Sequence, residues 1–324
     1  MISLRKIYKE FIKVLFKIYF GDLKVQDSKK FRKQFNINKK FFYDFYEIEN
    51  CRVFTNTNDV AFINKNSILK GPSLQIRKKG KNANIKKNAS IKFGTPKRYI
   101  YFNNRVFSLL SGLDANYNYF HWFFDSLPRF FLFKRFYKIS KNDFFLVHNY
   151  KTEFQKTSLK MLGIKNIINA YDTKHIKAKK IITVDFKRKK DNPPNWLLND
   201  LRFFYKKNKI KGKINKINLF IDRSKNSSKI RDIYNKDEIL NYLKKNNFKI
   251  IDPSSLDFSD EIKIFKRAKI IIGIYGAGLT NILFCNPKCK IIQLKNYSVD
   301  DLYGNIAKKI GLKFISIKGN IINI

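Results

Sequence analysis

The sequence predicts an α/β protein built as two lobes facing a cleft. Short apolar β-type runs alternate with helical patterns along much of the chain, which is how a parallel sheet with covering helices reads. At Asp191-Asn-Pro-Pro-Asn195 that alternation breaks. Paired prolines continue neither helix nor strand, and the polar neighbours suit an exposed linker. With 324 residues and 44% hydrophobic composition, the chain has material for two cores of ordinary size. The expected division is an amphipathic helix over 1–20, an N-terminal lobe over 21–195, and a linker helix with a C-terminal lobe over 196–324.

The first element is basic and amphipathic. Leu4, Ile7, Phe11, Leu15 and Ile18 recur at helical spacing, while lysines interrupt the stretch. No apolar run approaches the ~20 residues that span a bilayer, and no small-residue cleavage site marks a signal peptide. Such a helix either lies on a membrane surface or docks on the protein's own core. From Cys51 to about Phe107, runs at Arg52–Thr55, Val60–Asn64, Ser73–Arg77, Ile91–Phe93 and Tyr99–Phe102 are broken by Asn, Gly and Pro. They predict a small, mainly antiparallel β-rich layer in the N-terminal lobe.

An aromatic helix over Asn118 to about Tyr137 follows, then a strand at Phe144–His148 and a helix at Thr152–Leu162 closed by Gly163. Strands at Ile167–Asn169 and Ile181–Val184 complete the lobe. After the linker helix Trp196–Lys207, strands are expected at Asn218–Asp222, Lys249–Ile251, Ile270–Ile274, Lys290–Leu294 and Lys313–Ile317. Helices at Lys236–Lys245, Ser259–Ala268, Leu279–Phe284 and Val299–Ile310 alternate with them.

The formal net charge is +43, which first suggests nucleic acid. The basic residues are spread along the whole chain, however, and no nucleic-acid module signature is present. Abundant Lys, Asn, Ile, Phe and Tyr together fit an AT-rich coding bias. The charge then reads as a solvated basic surface, or as attraction to anionic lipid or an anionic glycan. Cys51, Cys285 and Cys289 form no disulfide framework or C-x-x-C pair, and read as buried thiols in a reducing compartment.

Three segments carry chemistry. In Lys269-Ile-Ile-Ile-Gly-Ile-Tyr-Gly-Ala-Gly-Leu-Thr-Asn281 a buried strand runs into a turn with Gly273, Gly276 and Gly278, then opens a helix. That arrangement sets backbone N–H groups at the carboxyl edge of a sheet, where phosphates are held, although turn glycines without a ligand read the same way. The spacing is not G-x-G-x-x-G, so this is no dinucleotide fingerprint. In Asn118-Tyr-Phe-His-Trp-Phe-Phe-Asp-Ser-Leu-Pro-Arg129, His121 and Asp125 share one helix face. They form either a hydrogen bond that ties down an aromatic core or a catalytic base against an apolar wall. Pro128 is expected to end or kink the helix close to Asp125. The third segment, Asp222 to Arg231 with Asn235 and Glu238 beyond, follows a strand. Its Arg223 and Arg231 either clamp a diphosphate or are solvated loop charge. Asn235 also reads as the N-cap of the next helix, with Glu238 completing a capping box.

Together these segments resemble glycosyltransferase family 61, over roughly residues 100 to 295. The resemblance rests on H-W-F-F-D-S-L-P-R (His121 to Arg129), on R-x7-R-x3-N (Arg223, Arg231, Asn235) and on G-x-Y-G-A-G-L-T-N (Gly273 to Asn281). It departs at Tyr275, where the family usually has His. A tyrosine there can give one hydrogen bond but no positive charge.

The resemblance implies a GT-B arrangement of two Rossmann-like lobes and an inverting transfer from a nucleotide sugar, usually a UDP-sugar. The setting it implies is capsular polysaccharide or lipopolysaccharide biosynthesis. No cofactor and no metal is expected, and the chain indeed has no D-x-D carboxylate pair to hold one. The expected acceptor is a glycan or lipid-linked glycan, without specific nucleic-acid binding. The expected place is the cytoplasm, with peripheral contact to the inner face of the cytoplasmic membrane. Donor contacts are assigned to Arg223, Arg231, Asn235, Tyr275, Gly276, Ala277, Gly278, Leu279, Thr280 and Asn281, and base chemistry to Asp125 with His121. The competing reading is a non-enzymatic basic protein that binds an anionic polymer at a membrane surface.

Overall fold

The computed structural model describes residues 4–55, 59–75, 85–111, 118–186, 191–207, 215–222, 233–296 and 300–319. The chain divides into two compact units, Met1–Lys151 with Gly163–Lys187, and Thr152–Leu162 with Arg188–Ile324.

In the first unit, helix α1 (Leu4–Phe20) precedes β1 (Lys24–Gln26), β2 (Arg32–Ile37), the long β3 (Phe41–Thr55), β4 (Asp59–Asn64), β5 (Ser67–Leu69) and β6 (Leu74–Gln75). Helix α2 (Ala89–Phe93), β7 (Ile100–Ser108), α3 (Tyr119–His121), α4 (Leu127–Phe136), β8 (Phe144–Val147), β9 (Ile167–Asn169) and β10 (His175–Asp185) follow. Among the described residues these strands form one ten-stranded sheet in the order β1-β5-β4-β3-β10-β7-β8-β9, with β2 paired to β3 and β6 to β4. Of the expected β-rich layer, Arg52–Thr55 and Val60–Asn64 pair antiparallel in β3 and β4, whereas most of Tyr99–Phe102 falls in β7 of the parallel part. β10 is the seam: it runs antiparallel to β3 on one side and parallel to β7 on the other.

Two local differences from the sequence reading have clear causes. Ile91–Phe93 lies in a helical turn, because the Asn88 side chain accepts from Ser90 N at 2.9 Å and caps α2. The Ile181–Val184 run is only the last part of β10. Its first part, with Lys177, Lys179 and Lys180, has too little apolar character to read as a strand.

Aromatic side chains fill the core under this sheet. Phe45, Phe107 and Phe133 are fully buried, and Phe107 lies 4.9 Å from Phe133 and 5.5 Å from Phe145 between ring centroids. Burial of each such ring contributes roughly 1.5–3 kcal/mol. The Tyr137 hydroxyl, at the edge of the same cluster, donates to Glu47 Oε1 at 3.1 Å. All three cysteines are buried and unbridged, and burial pushes the Cys51 thiol up to about 12.

Two buried histidines make the unit sensitive to acid. Burial, then the neighbouring Arg129 cation, lowers His148 to about 3. Burial and Arg52 lower His175 to about 4 despite its 3.1 Å bond to Arg98 O. Both folded values lie below the ordinary ~6.5, so the unfolded chain takes up protons first as pH falls. Stability should be fully present above about pH 6.5 and decline below it, by up to ~1.4 kcal/mol per pH unit for each histidine. Urea midpoints measured from pH 7.5 downward should follow this, and His148→Gln should reduce the slope. A flat profile between about pH 6.5 and 5 would contradict it.

The second unit begins with α5 (Glu153–Met161), which packs against α9 of the same unit although in sequence it falls within 21–195. Next come α6 (Asn195–Leu201), α7 (Phe203–Lys207), β11 (Ile217–Ile221), α8 (Lys236–Lys245), β12 (Phe248–Ile251), α9 (Phe258–Arg267), β13 (Ala268–Ile274), β14 (Lys290–Asn296), α10 (Leu302–Lys309) and β15 (Lys313–Gly319). The linker helix is therefore two helices joined at Arg202, whose guanidinium donates to Leu283 O at 3.1 Å. Phe204 of α7 is buried against Phe258 and Phe284. All strand pairs in this sheet are parallel, and among the described residues the order is β12-β11-β13-β14-β15. Numbered within the unit this is 2-1-3-4-5, a doubly wound order whose direction reverses between β11 and β13. No helix among the described residues is long and apolar enough to cross a membrane.

Candidate active site

In the first unit, His121 and Asp125 sit in an unusual piece of helix. The Asn118 side chain accepts from His121 N at 3.3 Å and starts α3. Residues Trp122–Ser126 then form a π turn in which Leu127 N donates to Trp122 O. Pro128 explains the widening. It has no N–H to give Phe124 O, and the wider turn absorbs the defect so that α4 continues without a break. Asp125 therefore lies inside a continuous helical segment, in a π turn where the sequence led one to expect Pro128 to end or kink the helix.

The two side chains meet: His121 Nδ1 lies 2.6 Å from Asp125 Oδ2. They remain 27% and 24% exposed, whereas Trp122, Phe123 and Phe124 around them are buried. A polar pair that is partly open to water, in a π turn walled by buried aromatics, has the geometry of a proton-transfer site. Ser126 behaves differently; its hydroxyl donates to Leu109 O at 2.7 Å and fixes the turn to the sheet.

Sequence reasoning assigned no task to Arg129, one turn beyond Asp125. It is 4% exposed and donates to Val184 O and, at 3.4 Å, to Phe186 O at the end of β10. Burial brings its guanidinium down to about 10, against the opposing pull of Asp185 and Asp125. Asn149, beside His148 after β8, is wholly buried with both amide atoms unpaired. Nothing in the local sequence around Arg129 signals these surroundings, because its partners come from the distant end of β10.

In the second unit, the glycine segment leaves the carboxyl end of β13 as expected, but as a 3-10 helix (Ala277–Phe284) instead of an α-helix. Two of its glycines sit in tight packing. A Cβ on Gly273 would meet Leu279 Cδ2 at 3.2 Å and Ile221 Cβ at 3.3 Å, and one on Gly278 would meet Ile221 Cγ2 at 3.1 Å. Leu279, Thr280 and Asn281 have buried side chains. Asn281 Nδ2 donates to Glu261 Oε1 of α9 at 3.3 Å, which locks the segment onto the unit. Leu279 N is already given to Gly276 O at 3.0 Å. What this segment can offer a ligand is thus the backbone around Gly276, Ala277 and Gly278, the first amides of a helical turn.

Tyr275 donates to Asp300 Oδ1 at 2.8 Å, and its ring meets Tyr303 edge-on at 5.3 Å. Beside it, Lys295 at the end of β14 is 8% exposed and reaches Asp300 O at 3.3 Å and the Asp301 carboxylate. Lys295 is a cation at the same sheet edge, one position beyond the Ile274–Leu294 pair. The sequence hint for it was slight, a lysine that closes the otherwise apolar run of β14.

Arg223 and Arg231 lie outside the described residues. The flanks of their loop are described, and both are anchored at the carboxyl edge: Lys236 Nζ meets Asp222 Oδ1 at 2.7 Å, and Asp222 N donates to Ile251 O at 2.8 Å. Ile221, one residue earlier, is in register with Gly273. Residues 223–232 and the glycine turn therefore follow adjacent strands, β11 and β13, on either side of the order reversal, the place where open α/β sheets bind ligands. Asn235 is the N-cap position of α8, but its side chain donates to Glu238 Oε2 at 3.2 Å and makes no cap bond to the backbone.

Residues 119–292, more than half of the chain and spanning the dyad, the arginine loop and the glycine turn, match the family Glycosyltransferase 61. The chain belongs to that family and is a glycosyltransferase, which favours the enzymatic reading over polymer binding. Similar proteins include the EGF domain-specific O-linked N-acetylglucosamine transferases of Gallus gallus and Mus musculus. Each is 32% identical over 95 residues, 28% of this chain and 18% of the relative. The Drosophila melanogaster protein of the same name is 30% identical over 90 residues, 27% of this chain and 17% of the relative. The matched segment spans less than a fifth of these relatives' length.

Proposed function

We propose that the protein is an inverting, metal-independent transferase that moves a sugar from a UDP-sugar to a glycan or lipid-linked glycan. The product would enter a bacterial surface polysaccharide of capsular or lipopolysaccharide type. The observation that carries the donor part is that the segment holding Arg223 and Arg231 and the glycine turn follow β11 and β13, the adjacent strands on either side of the sheet's order reversal. This reading takes the second unit as the donor lobe and the first as the acceptor lobe of a GT-B enzyme. A nucleotide-sugar donor puts the reaction in the cytoplasm, at the inner membrane face if the acceptor is lipid-linked.

In the proposed reaction, Asp125 Oδ1 takes the proton of the acceptor hydroxyl while His121 holds Oδ2. The acceptor oxygen bonds to the anomeric carbon from the face opposite the nucleotide. The bond from that carbon to the diphosphate oxygen breaks, and its electron pair leaves with the nucleotide. Arg223, Arg231 and the amides of Ala277 and Gly278 offset the charge that develops on the diphosphate, the task a metal would otherwise perform.

A thermal-shift panel of nucleotide sugars tests this reading. The relatives' name makes UDP-N-acetylglucosamine the first to try, followed by UDP-glucose and UDP-galactose. One UDP-sugar should stabilise the protein saturably, by about 2.7 kcal/mol at ~100 times its dissociation constant. The shift should be unchanged in EDTA. A panel without any response, or a response that needs added metal, would remove the corresponding part of the proposal.

A further inference from the structure

Helix α1 is covered on one face only. Toward the first unit, Phe16 sits against Gly94, whose φ of +73 and missing Cβ allow a close approach; a Cβ there would meet Phe16 Cβ at 2.6 Å. The buried Arg52 guanidinium lies 3.9 Å over the Phe20 ring, and that ring meets His175 edge-on at 6.1 Å. Among the described residues the opposite face has no such cover. Leu4, Ile7, Phe11, Val14 and Ile18 are 55–85% exposed. Their spacing alternates three and four residues, so they form one continuous stripe along the helix.

Soluble surfaces rarely leave a stripe of large apolar side chains in water without a partner for it. Its surroundings indicate what kind of partner. At the C-terminal end of α1 the stripe meets exposed tyrosines that carry lysines: Lys97 Nζ stands 4.1 Å from the Tyr19 ring centroid and Lys177 Nζ 5.7 Å from that of Tyr99. Tyr99 packs edge-on to the same His175 that touches Phe20, which joins this rim to the helix. Tyr101 beside it is 50% exposed. The α1 sequence holds Arg5, Lys6, Lys9, Lys13 and Lys17 against Glu10 alone, five basic residues to one acidic. Among the described side chains, Lys13 pairs with Glu10 and Lys17 with Asp22.

We propose that this face of α1, with Tyr19, Tyr99 and Tyr101 at its rim, docks on an anionic lipid bilayer. The stripe enters the boundary between headgroups and acyl chains, the tyrosines sit at headgroup depth, and the rim lysines Lys97 and Lys177 meet lipid phosphates. A second copy of the chain is the less suitable occupant. It would bring two helices of the same positive sign together, in a protein whose net charge is already +43.

Co-sedimentation of the full chain with vesicles tests the proposal. The protein should pellet with phosphatidylcholine vesicles doped with phosphatidylglycerol but not with phosphatidylcholine alone, and less as salt rises. The double variant Phe11→Asp, Ile18→Asp should bind at least about tenfold more weakly, with its melting temperature and nucleotide response unchanged. Equal binding by the double variant would show that general positive charge suffices and overturn the stripe's role. Failure of the wild type to pellet with anionic vesicles would overturn the proposal outright. So would light scattering that shows a dimer which the double variant converts to a monomer, since the stripe would then be an interface between copies.

Discussion

Asp125→Asn should lower sugar transfer by about 10²–10⁴-fold, the usual contribution of a positioned general base. The substitution keeps the size of the side chain and one oxygen toward His121, so the π turn and its aromatic wall should survive. It removes the ability to take a proton from the acceptor. Because the donor contacts are assigned to the other unit, nucleotide binding in the thermal-shift assay should be unaffected. Steady-state rates at saturating donor and acceptor decide the matter. Transfer close to the wild-type rate would take Asp125 out of the base role, and a greater loss in His121→Gln would pass that role to the imidazole. The 2.6 Å contact fits both assignments, so the comparison of the two variants carries the distinction.

The largest loss of stability is expected from Arg129→Met. The guanidinium is buried, joins α4 to the end of β10 through Val184 O and Phe186 O, and sits one helical turn from Asp125. Methionine fills much of the volume but removes the donors to Val184 O and Phe186 O and the cation near Asp185. Such losses cost about 3 kcal/mol together, or roughly 6–12 °C in the melting temperature of a unit of this size. Arg129→Lys should recover only part of this, because an ammonium cannot span two carbonyls as a planar fork does. A Met variant that melts within about a degree of wild type would show that the carbonyls find other partners.

The second unit was the more legible part of the chain. Its strands are short, continuous apolar runs bounded by turn residues, and the expected strand at Ile270–Ile274 and helix at Lys236–Lys245 are found almost residue for residue. The first unit was harder to read, for physical reasons. Phe41–Asn50, the first part of β3, alternates aromatic with charged residues whose partners lie on β2 and β10. In β10, lysines occupy positions where a strand pattern expects apolar residues.

Within the site, the His121–Asp125 pair was readable because helix geometry alone brings residues four apart together. The packing role of Gly273 and Gly278 was hidden because it depends on Ile221, more than fifty residues away in sequence. Arg129 was hidden for the same reason. A side chain's partners across a sheet are tertiary facts, and one-dimensional spacing does not encode them.

The seam strand has a consequence for how the protein is made. β10 is the last strand of its sheet to leave the ribosome, yet it belongs in the middle, between β3 and β7. Until about residue 185 has emerged, the nascent chain holds two part-sheets that cannot join, each with unsatisfied backbone groups along an open edge. Such edges recruit strands from other chains. High-yield expression should therefore depend on chaperones that shield the gap until β10 closes it.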